Sequence, residues 1–244
     1  MKIIITMAGE GSRFKRIGIE KSKYEIIAKD KTLFEWSMLS LVDFFSEEFI
    51  FIVKKMDASY NFIKEKCKEL GIRKFKLLEI EHRTEGQAST VMEAESLISL
   101  NDGIAIYNID TYIKEYSLKL EDISKDDYGF IPVFETNGES KWSFTRLDEN
   151  NYVTEITEKV PISIYGTIGF YYFKNFSDFK KIYENKKEEI KEKYKETYIA
   201  PMYSYLINED KKIKAKILKS DEFIVLGTPE DIVEFDKDYL NKNM

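Results

Sequence analysis

The segment that most restricts the fold lies at the start of the chain. Lys2–Met7 contains three consecutive isoleucines, and Gly9 and Gly11 follow directly. A short, continuous apolar run of this kind is typical of a strand that is buried on both faces of a parallel sheet. The two glycines let the backbone turn tightly and aim its N–H groups at an anion. The N-terminus therefore predicts a strand that ends in a glycine loop with an anion site.

Apolar strands alternate with helical patterns over the first half of the chain. The predicted elements after the first strand are the strands Phe49–Val53, Phe75–Ile80 and Ile104–Asn108 and the helices Leu33–Phe45, Ala58–Leu70 and Gln87–Ile98. Thr32 and Glu35 have the spacing of a capping box at the first helix. Because strands that alternate with helices form parallel sheets, the pattern predicts an α/β fold with a Rossmann-like, mixed but mostly parallel central sheet flanked by helices.

The pattern changes after residue 127, where strand-like runs follow one another closely. The predicted elements are the strands Tyr128–Phe134, Trp142–Leu147, Tyr152–Thr157 and Tyr165–Phe173, the helices Asp178–Glu196 and Ile199–Ile207, the strands Ile213–Leu218 and Glu222–Leu226, and a last helix that starts at Pro229. We therefore expect a single domain over residues 1–244. It would combine a βαβ core over 1–127 with a smaller, mixed substrate lobe and the C-terminal helices over 128–244.

Composition argues against several classes of protein. The 244 residues include 38 Lys and Arg against 44 Asp and Glu, a net charge of −6, which argues against a protein that coats nucleic acid or an anionic membrane. The single cysteine, Cys67, excludes an internal disulfide and a multi-cysteine metal site, and any histidine-based triad or cluster would depend on His82 alone. The longest charge-free run, Val160–Phe173, is too short to span a bilayer, and no signal peptide is recognisable. We expect a soluble, cytoplasmic protein without nucleic-acid or membrane partners.

The glycine loop differs from two common phosphate-binding motifs. The dinucleotide fingerprint needs a third glycine where Phe14 stands, which argues against a nicotinamide-dependent dehydrogenase. The P-loop needs a Gly-Lys-Ser/Thr sequence, which is absent. Arg13 is nevertheless well placed to make a bidentate contact with phosphate oxygens. A plain turn between strand and helix is the alternative interpretation of the glycines alone.

The loop, followed by Arg13-Phe14, resembles the signature of the nucleotidyltransferases that activate sugar phosphates. The resemblance continues in the same order along nearly the whole chain. The matching segments are Ser22-Lys23 (Pro-Lys in the family), Glu85-Gly86-Gln87-Ala88, Tyr107-Asn108-Ile109-Asp110, Glu158-Lys159, Tyr165-Gly166-Thr167-Ile168-Gly169-Phe170 and Leu226-Gly227-Thr228-Pro229-Glu230-Asp231. It implies an Mg²⁺-dependent enzyme that transfers the NMP part of an NTP to a phosphorylated metabolite and releases pyrophosphate.

The resemblance also implies a role for each matching residue. Arg13, Lys23 and Asp110 would be catalytic: Lys23 at the α-phosphate, and Asp110 as the ligand of Mg²⁺, which prefers carboxylate and phosphate oxygens. The nucleotide-binding residues would be Ala8, Gly9, Gly11, Ser12, Arg13, Lys23, Gly86 and Gln87. The residues that bind the acceptor substrate would be Glu158, Lys159 and Gly169.

Two positions depart from the family pattern. Val225 stands where many members have a second metal-binding aspartate. Either Asp110, phosphates and water hold Mg²⁺ alone, or Asp221 or Asp231 substitutes. Together with Ser22, Val225 leaves open a non-catalytic, nucleotide-binding regulatory module. The resemblance to the capsule and surface-polysaccharide branch favours CTP over UTP and dTTP, and a sugar phosphate or phosphoglutamine as acceptor; the oligomeric state stays open.

Overall fold

A single ten-stranded sheet runs through the computed structural model, which describes residues 1–243. The strands of these residues are β1 (Lys2–Thr6), β2 (Ile27–Ala28), β3 (Lys31–Thr32), β4 (Glu48–Lys54), β5 (Phe75–Ile80), β6 (Ile104–Asn108), β7 (Thr111–Ile113), β8 (Gly129–Glu135), β9 (Ser143–Leu147), β10 (Val153–Glu158), β11 (Tyr165–Thr167), β12 (Phe170–Phe173), β13 (Ile213–Leu218) and β14 (Phe223–Val225). The α-helices are α1 (Ser12–Lys15), α2 (Leu33–Leu39), α3 (Tyr60–Leu70), α4 (Gln87–Glu93), α5 (Phe176–Tyr194), α6 (Tyr203–Asn208), α7 (Pro229–Phe235) and α8 (Tyr239–Asn243).

The order of the strands confirms the predicted α/β fold. The sheet runs β10-β9-β11-β8-β12-β6-β1-β4-β5, and β13 pairs with β8. Strands β6, β1, β4 and β5 form a parallel block. Beyond β6 the pairs are antiparallel, except that β13 runs parallel to β8. The sheet therefore passes without interruption from the predicted βαβ core into the predicted substrate lobe.

The three isoleucines of β1 are fully buried because helices cover both faces of the sheet. Ile4 packs with residues of α4 and α5, whereas Ile3 and Ile5 pack on the opposite face with residues of α2 and α3. Cys67 of α3 lies in this second cluster, and burial raises the pKa of its thiol to about 12. Cys67 is therefore a packing residue. None of the helices in residues 1–243 is both long enough and apolar enough to cross a lipid bilayer.

One predicted helix ends early and one predicted strand is divided, because tertiary contacts compete with local sequence preference. The predicted helix Leu33–Phe45 begins at the expected Thr32–Glu35 capping box but ends at Leu39. The next residue, Ser40, is buried, and its hydroxyl accepts hydrogen bonds from the Ile113 N–H (2.8 Å) and the Tyr107 hydroxyl (3.1 Å). These bonds tie Ser40 to the sheet and to β7 at the point where the helix stops.

The predicted strand Tyr165–Phe173 is two strands, β11 and β12. The break falls at Gly169, whose φ of +88° is unfavourable for residues with a side chain. Before the break, β11 pairs with β8 and β9, whereas after it β12 pairs with β8 and β6. This change of partner is what joins the two halves of the sheet.

A third apolar cluster lies outside the sheet and supports the loop that follows β1. It joins Phe14 and Ile19 of this loop to Ile232 of α7 and Tyr239 of α8. The Asn243 side chain holds β2 by accepting from the Ile27 N–H (2.8 Å) and donating to its carbonyl (2.7 Å). The C-terminal helices therefore fix the glycine loop and the segment that leads to α2.

Candidate active site

A cleft of about 750 Å³ opens at the carboxyl ends of the parallel strands. Thr6 at the end of β1, Lys54 at the end of β4 and Asn108 at the end of β6 contribute to its wall. This edge of an open α/β sheet is where ligands usually bind. The predicted site residues that line the cleft are Ala8, Gly9, Gly11, Lys23, Gly86, Gln87 and Asp110.

Lys23 and Asp110 meet in this cleft although 87 positions separate them in the sequence. The Lys23 Nζ donates to Asp110 Oδ2 at 2.8 Å and to the Gly227 carbonyl at 3.0 Å. Both side chains remain partly accessible, 18% for Lys23 and 33% for Asp110. Three segments of the family resemblance thus converge on one point that a ligand can reach.

The small sheet of β7 and β14 brings the Gly227 segment to Asp110. Val225 pairs with Thr111, and the Leu226 N–H donates to the Asp110 carbonyl at 2.8 Å. A Cβ on Gly227 would come within 3.6 Å of Asp110 Oδ2 and 3.5 Å of Asp231 Oδ2. Asp231 is therefore the second carboxylate close to this point, while residues 1–243 contain no group of three or more Asp, Glu, His or Cys suited to a metal.

Of the predicted site residues in and after the glycine loop, some line the cleft and others do not. Gly11 has φ +61° and precedes α1, with Lys23 as its neighbour. Ser12 and Arg13 are exposed and lie outside the wall of the cleft. The pKa of the Glu230 carboxyl is lowered by its own backbone N–H and by Thr228, and to a smaller extent by the charge of Arg13. Arg13 therefore lies near Glu230 at the start of α7 and does not line the cleft.

Several cations of the cleft were not singled out from the sequence. These are Lys15, Lys21, Lys54, Arg83, Lys191 and Lys195. Two of these cations, Lys54 and Lys191, each form an ion pair with a carboxylate, and Lys54 has the less accessible side chain. Its Nζ is 3.7 Å from Asp57 Oδ1, and Asp57 Oδ2 accepts from the Tyr24 hydroxyl at 3.1 Å. Its position at the carboxyl end of a predicted parallel strand was the signal that could have found it.

The loop at the start of α4 is locked to the sheet and to the end of α5. The Gln87 Nε2 donates to Asn108 Oδ1 at 2.6 Å and to Thr6 Oγ1 at 3.2 Å. Gly86 has φ +149°, and a Cβ there would lie 2.5 Å from the Thr197 nitrogen. No side chain fits at position 86 in this arrangement, so the glycine is required by packing as well as by its φ angle.

The predicted acceptor residues lie beside the cleft and not in its wall. Glu158 is buried, and its carboxylate accepts from the Ser143 hydroxyl. Lys159 is exposed and donates to the Tyr198 hydroxyl. Gly169 packs against the Asn108 side chain with no room for a Cβ. Of these three residues, Gly169 adjoins the cleft through its contact with Asn108.

Because the Glu158 carboxyl is buried, we expect the stability of the protein to depend on the protonation of this group. Burial raises its pKa above the ordinary value, although the Ser143 hydroxyl and the Lys159 charge oppose the shift. Between the ordinary and the raised pKa the native state binds more protons than the unfolded state, so the free energy of unfolding falls as the pH rises.

Glu158→Gln removes this pH-dependent contribution to stability. The melting temperature of the variant, relative to that of wild type, should therefore increase from pH 4 to pH 7. Glu155→Gln, an exposed change on the same strand, is the control; an equal pH trend in both variants would contradict the assignment.

The chain is similar to several solved structures. No protein-family profile and no curated protein matches the chain. Among solved structures, the nucleoside-diphosphate-sugar pyrophosphorylase from Vibrio cholerae RC9 is 30% identical over 97% of this chain and 100% of that chain, with a TM-score of 0.87. The inositol-1-phosphate CTP transferase from T. maritima is 18% identical over 94% and 90% of the two chains, with a TM-score of 0.72. A UDP-glucose pyrophosphorylase complexed with UDP-glucose is 19% identical over 99% and 98%, with a TM-score of 0.78. The last two likenesses concern the fold alone.

Proposed function

The chain belongs to the nucleoside-diphosphate-sugar pyrophosphorylase family of nucleotidyltransferases, and from this premise we propose how it works on its substrates. It transfers the NMP part of an NTP, CTP in our proposal, to the phosphate of a small acceptor and releases pyrophosphate. The acceptor is a sugar phosphate or a phosphoglutamine-like compound that serves the synthesis of capsule or surface polysaccharide. The contact of Lys23 with both Asp110 and Gly227 in an accessible cleft is the observation that carries the proposal.

The reaction brings two polyanions together, so its main requirement is charge neutralisation with correct positioning. An oxygen of the acceptor phosphate attacks the α-phosphorus, the bond to the β-phosphate breaks, and pyrophosphate leaves with the electron pair. The Lys23 ammonium is the donor that would meet the α-phosphate oxygens as their negative charge grows. Asp110 and the Gly227 carbonyl hold this ammonium in place before substrate binds. The glycine loop from Ala8 to Gly11 lines the same cleft, and its backbone N–H groups are our candidates for further contacts with the phosphates.

The donor set at Asp110 fits Mg²⁺. In nucleotide sites this ion is commonly held by one or two carboxylates together with substrate phosphates and water. Asp110 offers such a carboxylate, and Asp231, whose Oδ2 also lies close to Gly227, is our candidate for the aspartate that Val225 replaces. When bound, Mg²⁺ neutralises phosphate charge. Asp231 Oδ2 already accepts from the Thr228 N–H at 2.8 Å, so Oδ1 and the second lone pair of Oδ2 are available for this role.

Pyrophosphate release tests the proposed function directly. The protein is incubated with Mg²⁺, one of CTP, UTP, dTTP, ATP or GTP, and one of a panel of phosphorylated metabolites that includes glucose 1-phosphate, inositol 1-phosphate and phosphoglutamine. At least one pair should release pyrophosphate, with CTP the most active nucleotide, and Asp110→Asn should lower the rate by about 100-fold or more. Asp126→Asn, which changes an exposed carboxylate in the loop before β8 and outside the wall of the cleft, is the matched control. A folded wild-type protein that is silent over the whole panel would contradict the proposal.

A regulatory module that binds a nucleotide without catalysis is the second candidate, because Val225 removes a carboxylate from the expected metal site. A ligand that binds only the folded state raises the melting temperature. Stabilisation by an NTP that is independent of Mg²⁺, without pyrophosphate release, would favour this candidate over the enzyme.

A further inference from the structure

We propose that Tyr198 is a positioning residue that holds the Lys159 ammonium ready for the phosphate of the acceptor substrate. The inference rests on the proposed function, in which Lys159 meets that phosphate. Tyr198 lies outside every segment that resembles the family, and no sequence pattern marks it as a candidate. It follows α5 and precedes α6, next to the cleft residue Glu196.

One side chain provides two kinds of contact to the lysine. The Lys159 Nζ donates to the Tyr198 hydroxyl and lies 4.6 Å from the centroid of its ring, within cation–π distance. Lys159 is exposed and has φ +58°, a conformation that is uncommon for a residue with a side chain. A free lysine side chain samples many rotamers, and ordering it when the ligand binds lowers affinity. Tyr198 imposes this order before the ligand arrives.

The position of Tyr198 is itself fixed by the preceding residue. Thr197 is buried, its N–H donates to the Glu85 carbonyl at 3.0 Å, and its carbonyl accepts from the Ala88 N–H at 2.9 Å. The Thr197 and Ser89 hydroxyls share a hydrogen bond of 2.8 Å. We call residues 196–198 the bridge. The bridge connects the loop at the start of α4, on the nucleotide side, with Lys159 on the acceptor side.

The groups around the bridge keep Lys159 charged and Tyr198 neutral at neutral pH. Partial burial lowers the pKa of the Lys159 ammonium. The hydrogen bond to Tyr198 and the charges of Glu158 and Glu196 raise it by more, so the pKa lies above its ordinary value. Burial raises the pKa of the Tyr198 phenol, which therefore keeps its proton at neutral pH. A phenol that accepts from the ammonium still has its own proton to donate. The pair thus offers an anion a cation and a neutral donor side by side.

Steady-state kinetics of Tyr198→Phe test this role, with the acceptor identified by the pyrophosphate screen. The variant keeps the ring and loses the hydroxyl. The KM for the acceptor should rise about three- to tenfold, whereas kcat and the KM for the NTP should change less than about twofold. Tyr198→Ala, which also loses the ring, should raise the acceptor KM further. Tyr152→Phe is the matched control, because Lys214 lies 4.5 Å over that ring outside the cleft.

A second readout does not depend on turnover. Acetic anhydride labels accessible lysines, and mass spectrometry gives the rate at Lys159 relative to Lys214. Inorganic phosphate should slow labelling of Lys159 in wild type, and the protection should be weaker in Tyr198→Phe but unchanged in Tyr152→Phe.

The outcomes separate the two proposals. An active wild type whose acceptor KM is unaffected by Tyr198→Phe overturns the role of Tyr198, as does equal phosphate protection of Lys159 in both proteins. A change confined to kcat or to the KM for the NTP overturns it as well. If the wild type releases no pyrophosphate but phosphate protects Lys159 through Tyr198, the proposed function fails and the role of Tyr198 stands.

Discussion

Lys23→Met should lower kcat by about 30- to 1000-fold, because it removes a cationic donor worth roughly 2–4 kcal/mol at the site of growing phosphate charge. Methionine keeps the length of the side chain without its charge. The fold should survive, since Asp110 is one-third exposed and water can solvate it once the ammonium is gone. Steady-state release of pyrophosphate measures the effect.

The matched control for this change is Lys31→Met, which removes a lysine of β3 that pairs with Asp30 at the surface. Its kcat should equal that of wild type. Melting temperatures of both variants show whether lost activity follows from lost structure. Unchanged turnover in a folded Lys23→Met protein would remove this lysine from the mechanism.

Gly86→Ala should cost about 3–4 kcal/mol of unfolding free energy. The new Cβ would lie 2.5 Å from the Thr197 nitrogen and 2.9 Å from its carbonyl oxygen, and φ at this position is +149°. Backbone atoms of the bridge would have to move, which breaks the hydrogen bond from the Thr197 N–H to the Glu85 carbonyl. The KM for the NTP should rise as well, because the displaced loop lines the cleft.

Gly138→Ala separates the clash from the backbone conformation. Gly138 also has a positive φ, +82°, but a Cβ there meets no atom within 4 Å. We expect a cost of about 1–2 kcal/mol from the conformation alone. Urea denaturation of both variants gives the comparison, and equal losses at the two positions would show that the contact with Thr197 does not restrict position 86.

Local sequence signals were sufficient for much of the fold. The strands Phe75–Ile80, Ile104–Asn108 and Ile213–Leu218 have the predicted bounds. The capping box at Thr32 is present, and Pro229 occupies the first position of its helix. These signals depend on neighbours within a few residues, so tertiary structure has little opportunity to override them.

Other boundaries depended on contacts that are distant in sequence. The end of α2 coincides with hydrogen bonds that Ser40 receives from Tyr107 and from the Ile113 N–H. Helix α3 starts at Tyr60, two residues later than predicted, because Ala58 has a left-handed φ of +49°. The apolar run from Tyr165 to Phe173 gave no sign that Gly169 divides it between two sets of neighbouring strands.

The candidate site was predictable as a list of residues but not as an arrangement. The ordered motifs pointed to Lys23 and Asp110, and these two side chains form an ion pair. The same motifs put Arg13 with them, whereas its side chain is exposed outside the cleft wall. Tyr198 belongs to no motif, since its significance depends on the fold that carries it to Lys159. The roles of these residues stay predictions for the kinetic experiments.

The pairing of β12 with β6 limits how the protein can enclose its ligands. Four residues of β12, from Phe170 to Phe173, oppose Tyr107 to Ile104, so a ladder of backbone bonds joins the two halves of the sheet. A hinge rotation of one half against the other would break that ladder. Enclosure is therefore left to short surface segments such as the glycine loop, and exchange of one acceptor for another during evolution requires changes in such segments while the sheet is kept.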